Sequence, residues 1–199
     1  MLNKKTMEDI LKALAKERPV FHSEADFQFA LAEKIKEECK EAKVRLEYPV
    51  RDKENEHIDI LVMFGKSGFP IELKYKTKKT SITIGSEKFH LAGHSAVNHN
   101  RYRFLKDVQR IERWNFPKGF TILLTNDTNY WNGNGQGCDD EDFRIYDGAR
   151  KSGKLAWRNP TPKDKSLQEE INLSGTYTVK WEPFGERGEF QYLLFEVKK

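Results

Sequence analysis

Apolar residues recur at helical spacing in two stretches near the N-terminus. Met7, Ile10, Leu11 and Leu14 follow Thr6, a residue suited to N-capping, and Pro19 ends the segment. Ser23 precedes EADFQFALAEKIKEE, in which Phe27, Leu31 and Ile35 repeat every four residues and predict a second, longer helix. Asp26, three residues after Ser23, resembles a capping box. The period then changes. VRLEYPV (44–50) alternates as a strand, the charged RDKENEH reads as a turn, and HIDILVMF and FPIELKYK read as two strands joined by GKSG. After SITIGSEKFH, with its β-branched start, Phe104, Leu105, Val108 and Ile111 predict a third helix from about Ser95 to Trp114, closed by Pro117 and Gly119. FTILLTN is a continuous apolar run suited to a central strand buried on both faces. NYWNGNGQGCDDED carries loop signals, and TYTVKWEPF and EFQYLLFEV predict two closing strands whose aromatics Tyr177, Trp181, Phe184, Tyr192 and Phe195 supply core.

The 199 residues suffice for one domain with a real core and exclude a large two-domain cofactor enzyme. Charged residues make up 33% of the chain, yet 13 Phe, 7 Tyr and 4 Trp argue for folding rather than disorder. A formal net charge of +4 is compatible with a polyanionic partner without requiring one. Cys39 and Cys138 lie far apart and outside any CxxC cluster, so free thiols are expected rather than a zinc site or disulfide framework. MLNKKTMEDILKALAKERP lacks the apolar run of a signal peptide, and no stretch approaches a bilayer span, which leads to a cytoplasmic expectation with no membrane partner.

The chemistry concentrates in the hairpin. With Phe64 and Phe69 as partners across GKSG, Asp59 falls opposite Lys74 and Leu61 opposite Glu72. The two-residue period places Asp59, Leu61, Glu72 and Lys74 on one face, leaving Ile58, Ile60, Val62, Ile71, Leu73 and Tyr75 on the other. Two carboxylates and a lysine among apolar strand residues are partly desolvated, and such charges are tolerated when they pair or hold a metal. A hard cation such as Mg²⁺ suits Asp59, Glu72 and the carbonyl of Leu73, completed by waters and phosphate oxygens. Lys74 then sits where it can orient a water or stabilise its hydroxide. Glu24 adds an acid at the start of the second helix's apolar face, a position that the helix dipole alone also favours.

These residues resemble the PD-(D/E)XK nuclease superfamily, which has the restriction-endonuclease-like fold. The match consists of Glu24 on the early helix, Asp59 in HIDILV and Glu72-Leu73-Lys74 in PIELKYK, followed by a helix and the strand FTILLTN. Ile58 stands where the family pattern has proline. The resemblance implies an α/β fold, a mixed sheet flanked by helices, with the core at about 20–126 of a single nuclease-like domain over 1–199. A C-terminal β-ribbon extension at about 127–199 is expected beyond it. It further implies a Mg²⁺-dependent endonuclease, with Mn²⁺ as a substitute ion, hydrolysing phosphodiester bonds. DNA is the expected partner, RNA is not excluded, and a homodimer is compatible with cutting two strands. In that reading Asp59, Glu72 and the Leu73 carbonyl bind metal, Lys74 positions the nucleophilic water, Glu24 supports the metal site, and Gln109 lies near the lysine.

Around this site Lys76, Lys78 and Lys79, and separately Arg101, Arg103 and Lys106, are candidates for phosphate contact, each also at home on a solvated surface. The alternatives to catalysis are a cross-strand salt bridge on an exposed hairpin, or an inactive nucleic-acid- or protein-binding domain of the same fold. His94 and His99 are five apart, which disfavours zinc on one helical face. DDED (139–142) lacks the spacing of a calcium loop and reads as a mobile acidic loop, with Trp131 beside it as a packing anchor rather than a base-stacking platform.

Overall fold

The computed structural model describes residues 2–50, 56–133, 135–159, 167 and 169–199. Two helices come first: α1 (Lys4–Glu17) and α2 (Glu24–Glu38). Asn3, not Thr6, caps α1, its Oδ1 accepting from the Thr6 N–H, so the helix begins three residues earlier than its apolar spacing predicts. Ser23 caps α2 through the Asp26 N–H, whereas the Asp26 carboxylate binds Arg18 and the His22 N–H instead of closing a capping box.

Three antiparallel strands follow: β1 (Lys43–Pro49), β2 (His57–Phe64) and β3 (Ser67–Lys76). Most of the expected turn at 51–57 lies outside the described residues. A small hairpin, β4 (Thr80–Ile84) and β5 (Glu87–Leu91), leads into α3 (Val97–Arg113), which returns the chain to β6 (Lys118–Thr125) alongside and parallel to β3. Beyond β6, β7 (Arg150–Leu155) and β8 (Ile171–Thr178) pair as a separate ribbon, while β9 (Trp181–Phe184) and β10 (Phe190–Lys198) complete the main sheet.

The protein is therefore α/β: the described residues form three α-helices, a six-stranded mixed sheet in the order β1-β2-β3-β6-β10-β9, and two hairpins. β6 lies between β3 and β10 and is buried along nearly its whole length, as a continuous apolar run requires. The C-terminal part differs from the expected appended ribbon. Its last two strands belong to the central sheet, because β10 presents apolar residues to both faces: Tyr192 and Leu194 to one, Leu193 and Phe195 to the other. Among the described residues no helix is long and apolar enough to cross a membrane.

Two cores sandwich the sheet. On one face α1 and α2 pack Leu11, Phe27 and Leu31 onto Ile60, Ile71 and Ile122; on the other α3 packs Phe104, Val108 and Ile111 onto Leu61, Leu123 and Phe195. α3 sits close to the sheet because Gly119 has no side chain. A Cβ there would lie 2.7 Å from Ile111 Cγ2 and 2.7 Å from the Pro70 carbonyl oxygen. Gly119→Ala is therefore expected to destabilise the fold by about 1–3 kcal/mol in urea unfolding. A loss below about 0.5 kcal/mol would contradict this close approach of helix and sheet.

Candidate active site

The β2–β3 register is offset by two residues from the sequence expectation. Phe64 pairs with Ser67 and Val62 with Phe69, so only Gly65 and Lys66 form the turn and Ser67 and Gly68 already belong to β3. An even offset leaves the faces unchanged. Continued one step past the pair Ile60 and Ile71, this register sets Asp59 against Glu72 rather than Lys74.

At Asp59 the two strands part. A regular ladder would give the Leu73 N–H a β2 backbone carbonyl, but it donates instead to Asp59 Oδ2 at 2.8 Å. Two residues on, the Tyr75 N–H donates to Glu24 Oε2 at 2.7 Å, and Lys76 Nζ reaches the same oxygen at 2.9 Å. Carboxylates from β2 and from the first turn of α2 thus replace a neighbouring strand along the free edge of β3. Gln28 on α2 braces the opening, its Nε2 donating to Asp59 O and to Glu47 Oε1, both at 2.6 Å. Glu47, opposite in β1, has φ of +49°, a strained value for a non-glycine residue. The same rotation sends Ile58 to the α3 side, not to the face of Ile60 and Val62 where strict alternation puts it.

From the other side α3 supplies Asp107 and Arg110. Lys74 Nζ lies 3.1 Å from Asp107 Oδ2, without hydrogen-bond alignment, and donates to the Leu73 carbonyl at 3.1 Å. Arg110 contacts Glu56 (2.9 Å), Asp107 (3.0 Å) and Glu72 (3.2 Å). Five carboxylates (Glu24, Glu56, Asp59, Glu72 and Asp107) thus meet three cations (Lys74, Lys76 and Arg110).

Burial and like charge govern the electrostatics. Glu72 is 2% exposed, and burial, then Asp107 and Asp59, push its carboxyl well above the ordinary range despite Arg110 and Lys74. Burial also raises Asp59, with Lys74 and the Leu73 N–H pulling the other way. For Lys74 burial disfavours the ammonium, but Asp107, Asp59, Glu24 and Glu72 outweigh it and hold the pKa above the usual lysine value. Lys74 is a cation and hydrogen-bond donor at neutral pH, not a base.

These residues fit a hard divalent cation. Glu72 Oε1 is buried with no hydrogen-bond partner among the described residues, while Asp59 Oδ2 accepts from the Leu73 N–H and the Leu73 carbonyl accepts from Lys74. Among the described residues no group of three or more His, Cys, Asp or Glu side chains is placed to hold a metal ion, so side-chain donors at this site number at most two carboxylates. Mg²⁺ suits this smaller donor set, since it keeps waters and takes one or two carboxylates.

Other sequence candidates lie elsewhere. Gln109 is buried against β8, where Nε2 donates to the Asn172 carbonyl, so it turns from the Asp107 and Arg110 side of α3. Arg101 does not face solvent: it is 3% exposed, ion-pairs with Asp140 at 2.8 Å and donates to the Asn129 carbonyl. That pairing, with Arg144 on the same aspartate, makes DDED an anchor rather than a mobile acidic loop. Lys76 is held by Glu24, and Lys106 pairs with Glu169, while Lys78, Lys79 and Arg103 are exposed. His94 accepts from the Thr77 N–H and His90 contacts Ser81, roles within the hairpin. Trp131 packs on Trp181, and both cysteines are free.

Asp107, Arg110 and Gln28 are the site residues that motif reading misses. Asp107 left one signal, an acid three residues after Phe104 and four before Ile111 on a buried stripe. Comparison with protein-family models, curated proteins and solved structures gives no match.

The raised Glu72 carboxyl has a consequence for stability. A carboxyl whose folded pKa exceeds its unfolded value of about 4.5 binds more protons when folded, so it costs stability as pH rises through that window. In metal-free buffer Glu72→Gln is expected to raise stability at neutral pH, the gain shrinking as pH falls towards 4.5. A loss of stability at pH 7 in thermal melts would show that the Arg110 pairing outweighs the burial of the charge.

Proposed function

We propose that the protein is a Mg²⁺-dependent nuclease of restriction-endonuclease-like fold that hydrolyses phosphodiester bonds of DNA. The reading is carried by one observation: β2 leaves β3 at Asp59, whose carboxylate takes the Leu73 N–H while Lys74 reaches the Leu73 carbonyl and lies beside Asp107, and the neighbouring Glu72 is buried with Oε1 unpartnered among the described residues. The order α2, β1, β2, β3, α3, β6, interrupted only by the β4–β5 hairpin before α3, supports it, since the resemblance implies an early helix, strands bearing the acids and the lysine, and then a helix and a strand.

Asp59, Glu72 and the Leu73 carbonyl would hold the ion. When bound, Mg²⁺ acidifies a coordinated water and offsets the charge that develops on the phosphoryl oxygens. Lys74, protonated and ion-paired with Asp107, would donate a hydrogen bond to the attacking water and stabilise negative charge as one P–O bond forms and another breaks. Glu24 holds the Tyr75 N–H and so keeps the edge of β3 open at that point. Arg110 steadies Asp107 and, in the metal-free state, takes up charge on Glu72.

That last contact favours a second reading, in which Arg110 closes a purely structural ion network within an inactive binding domain of the same fold. Cleavage assays separate the two. Wild type is expected to nick plasmid DNA in Mg²⁺ or Mn²⁺ and not in EDTA, with Lys74→Ala and Asp59→Asn slower by about 10²-fold or more. RNA, which shares the phosphodiester linkage, is the second polymer to assay. Equal rates in wild type and Lys74→Ala, or no metal-dependent cleavage of either polymer, would reject the enzymatic reading.

A further inference from the structure

Just past the carboxyl ends of the parallel strands β3 and β6, a polar cleft of about 560 Å³ opens between the β4–β5 hairpin and the β9–β10 turn. Crevices at this end of parallel strands are where open α/β sheets receive ligands. Lys78 and Lys79 line one wall with Thr83, Asn126 closes the end of β6, and Arg187 and Glu189 come from the opposite turn. Three cations meet one carboxylate.

These cations differ from those of the carboxylate site. Lys74, Lys76 and Arg110 are all committed to acids, whereas Lys78, Lys79 and Arg187 have no acidic partner within 4.0 Å among the described residues. Asn126 is fixed, its Oδ1 accepting from the Lys78 N–H at 2.7 Å, which leaves its amide NH₂ as a further donor. A concave surface with three unpaired cations and oriented donors recognises phosphate. It is also close to the proposed chemistry. Lys78 and Lys79 are four and five residues beyond Lys74, so at most about 18 Å of chain separates them from it.

We infer that this cleft holds consecutive phosphates of one nucleic-acid strand as it leaves the Asp59–Glu72 opening, with the β4–β5 hairpin as its guiding wall. The inference rests on the nuclease reading for the destination of the strand, but not for the binding itself. Arg187, more than 100 residues from the lysines in sequence, becomes a substrate-contacting residue that no local motif marks.

The test is equilibrium binding of a labelled single-stranded oligonucleotide in EDTA, where cleavage plays no part. The triple variant Lys78→Gln, Lys79→Gln, Arg187→Gln is expected to bind about tenfold or more weakly, with the slope of log K against log salt reduced by about 2. Arg187→Lys should retain most of the affinity, and circular dichroism with thermal melting confirms that the variants fold. Wild-type affinity and slope in the triple variant would overturn the inference. So would displacement at this cleft by inorganic pyrophosphate with no oligonucleotide binding, which would assign it to a free anion. If wild type binds through the cleft yet cuts nothing in Mg²⁺, the cleft assignment stands and the nuclease reading falls.

Discussion

The organising constraint of the molecule is an unfinished β-ladder. Backbone N–H groups along a strand need acceptors, and at Leu73 and Tyr75 the acceptors are the carboxylates of Asp59 and Glu24 rather than a neighbouring strand. A structure that needed only stability could have continued the β2–β3 pairing by two residues. Here the edge of β3 is held open by acids, and a strained Glu47 and a bridging Gln28 maintain the opening. Placing the carboxylates there also places the Leu73 carbonyl and Lys74 at the same opening.

That arrangement concentrates negative charge where water has limited access. The two carboxyls most affected, Glu72 and Asp59, are both raised, while Lys74 and Arg110 are held firmly protonated by the same neighbours. The pattern is one in which cations supplied by the protein do not cancel the buried acids. A divalent ion would complete the balance and supply the partner that Glu72 Oε1 lacks among the described residues. Arg110 is the counter-ion that Glu72 has in this structure, and it lies over the Trp114 ring at 5.2 Å.

Much of this was legible along the chain, for physical reasons. The faces of β2 and β3 follow from a period of two, and they survived a two-residue error in register because the error was even. Ser67 and Gly68 misled the reading: they look like turn residues, yet they pair as strand. Ile58 was misplaced because alternation assumes a regular strand, and β2 rotates at Asp59. Glu24 stood out as an acid opening an apolar helix face. Asp107 and Arg110 did not, since periodicity marks the buried face of α3 without saying which strand residues it meets. Arg101 looked like a surface cation because its partner, Asp140, is 39 residues away in a loop whose fold no local pattern encodes. EFQYLLFEV forms β10, whereas TYTVKWEPF divides between the end of β8 and β9, which belong to different sheets, and the insertion of β10 beside β6 depends on long-range pairing and not on its own alternation.

The most direct measurement is anomalous diffraction from crystals of the full chain soaked in Mn²⁺. A single peak is predicted between Asp59 and Glu72, at about 2.0–2.2 Å from their carboxylates and from the Leu73 carbonyl, with Arg110 withdrawn from Glu72. Absence of any peak there, with Arg110 still on Glu72 at saturating Mn²⁺, would contradict the divalent-ion site and leave the carboxylates as structural supports of a strand edge.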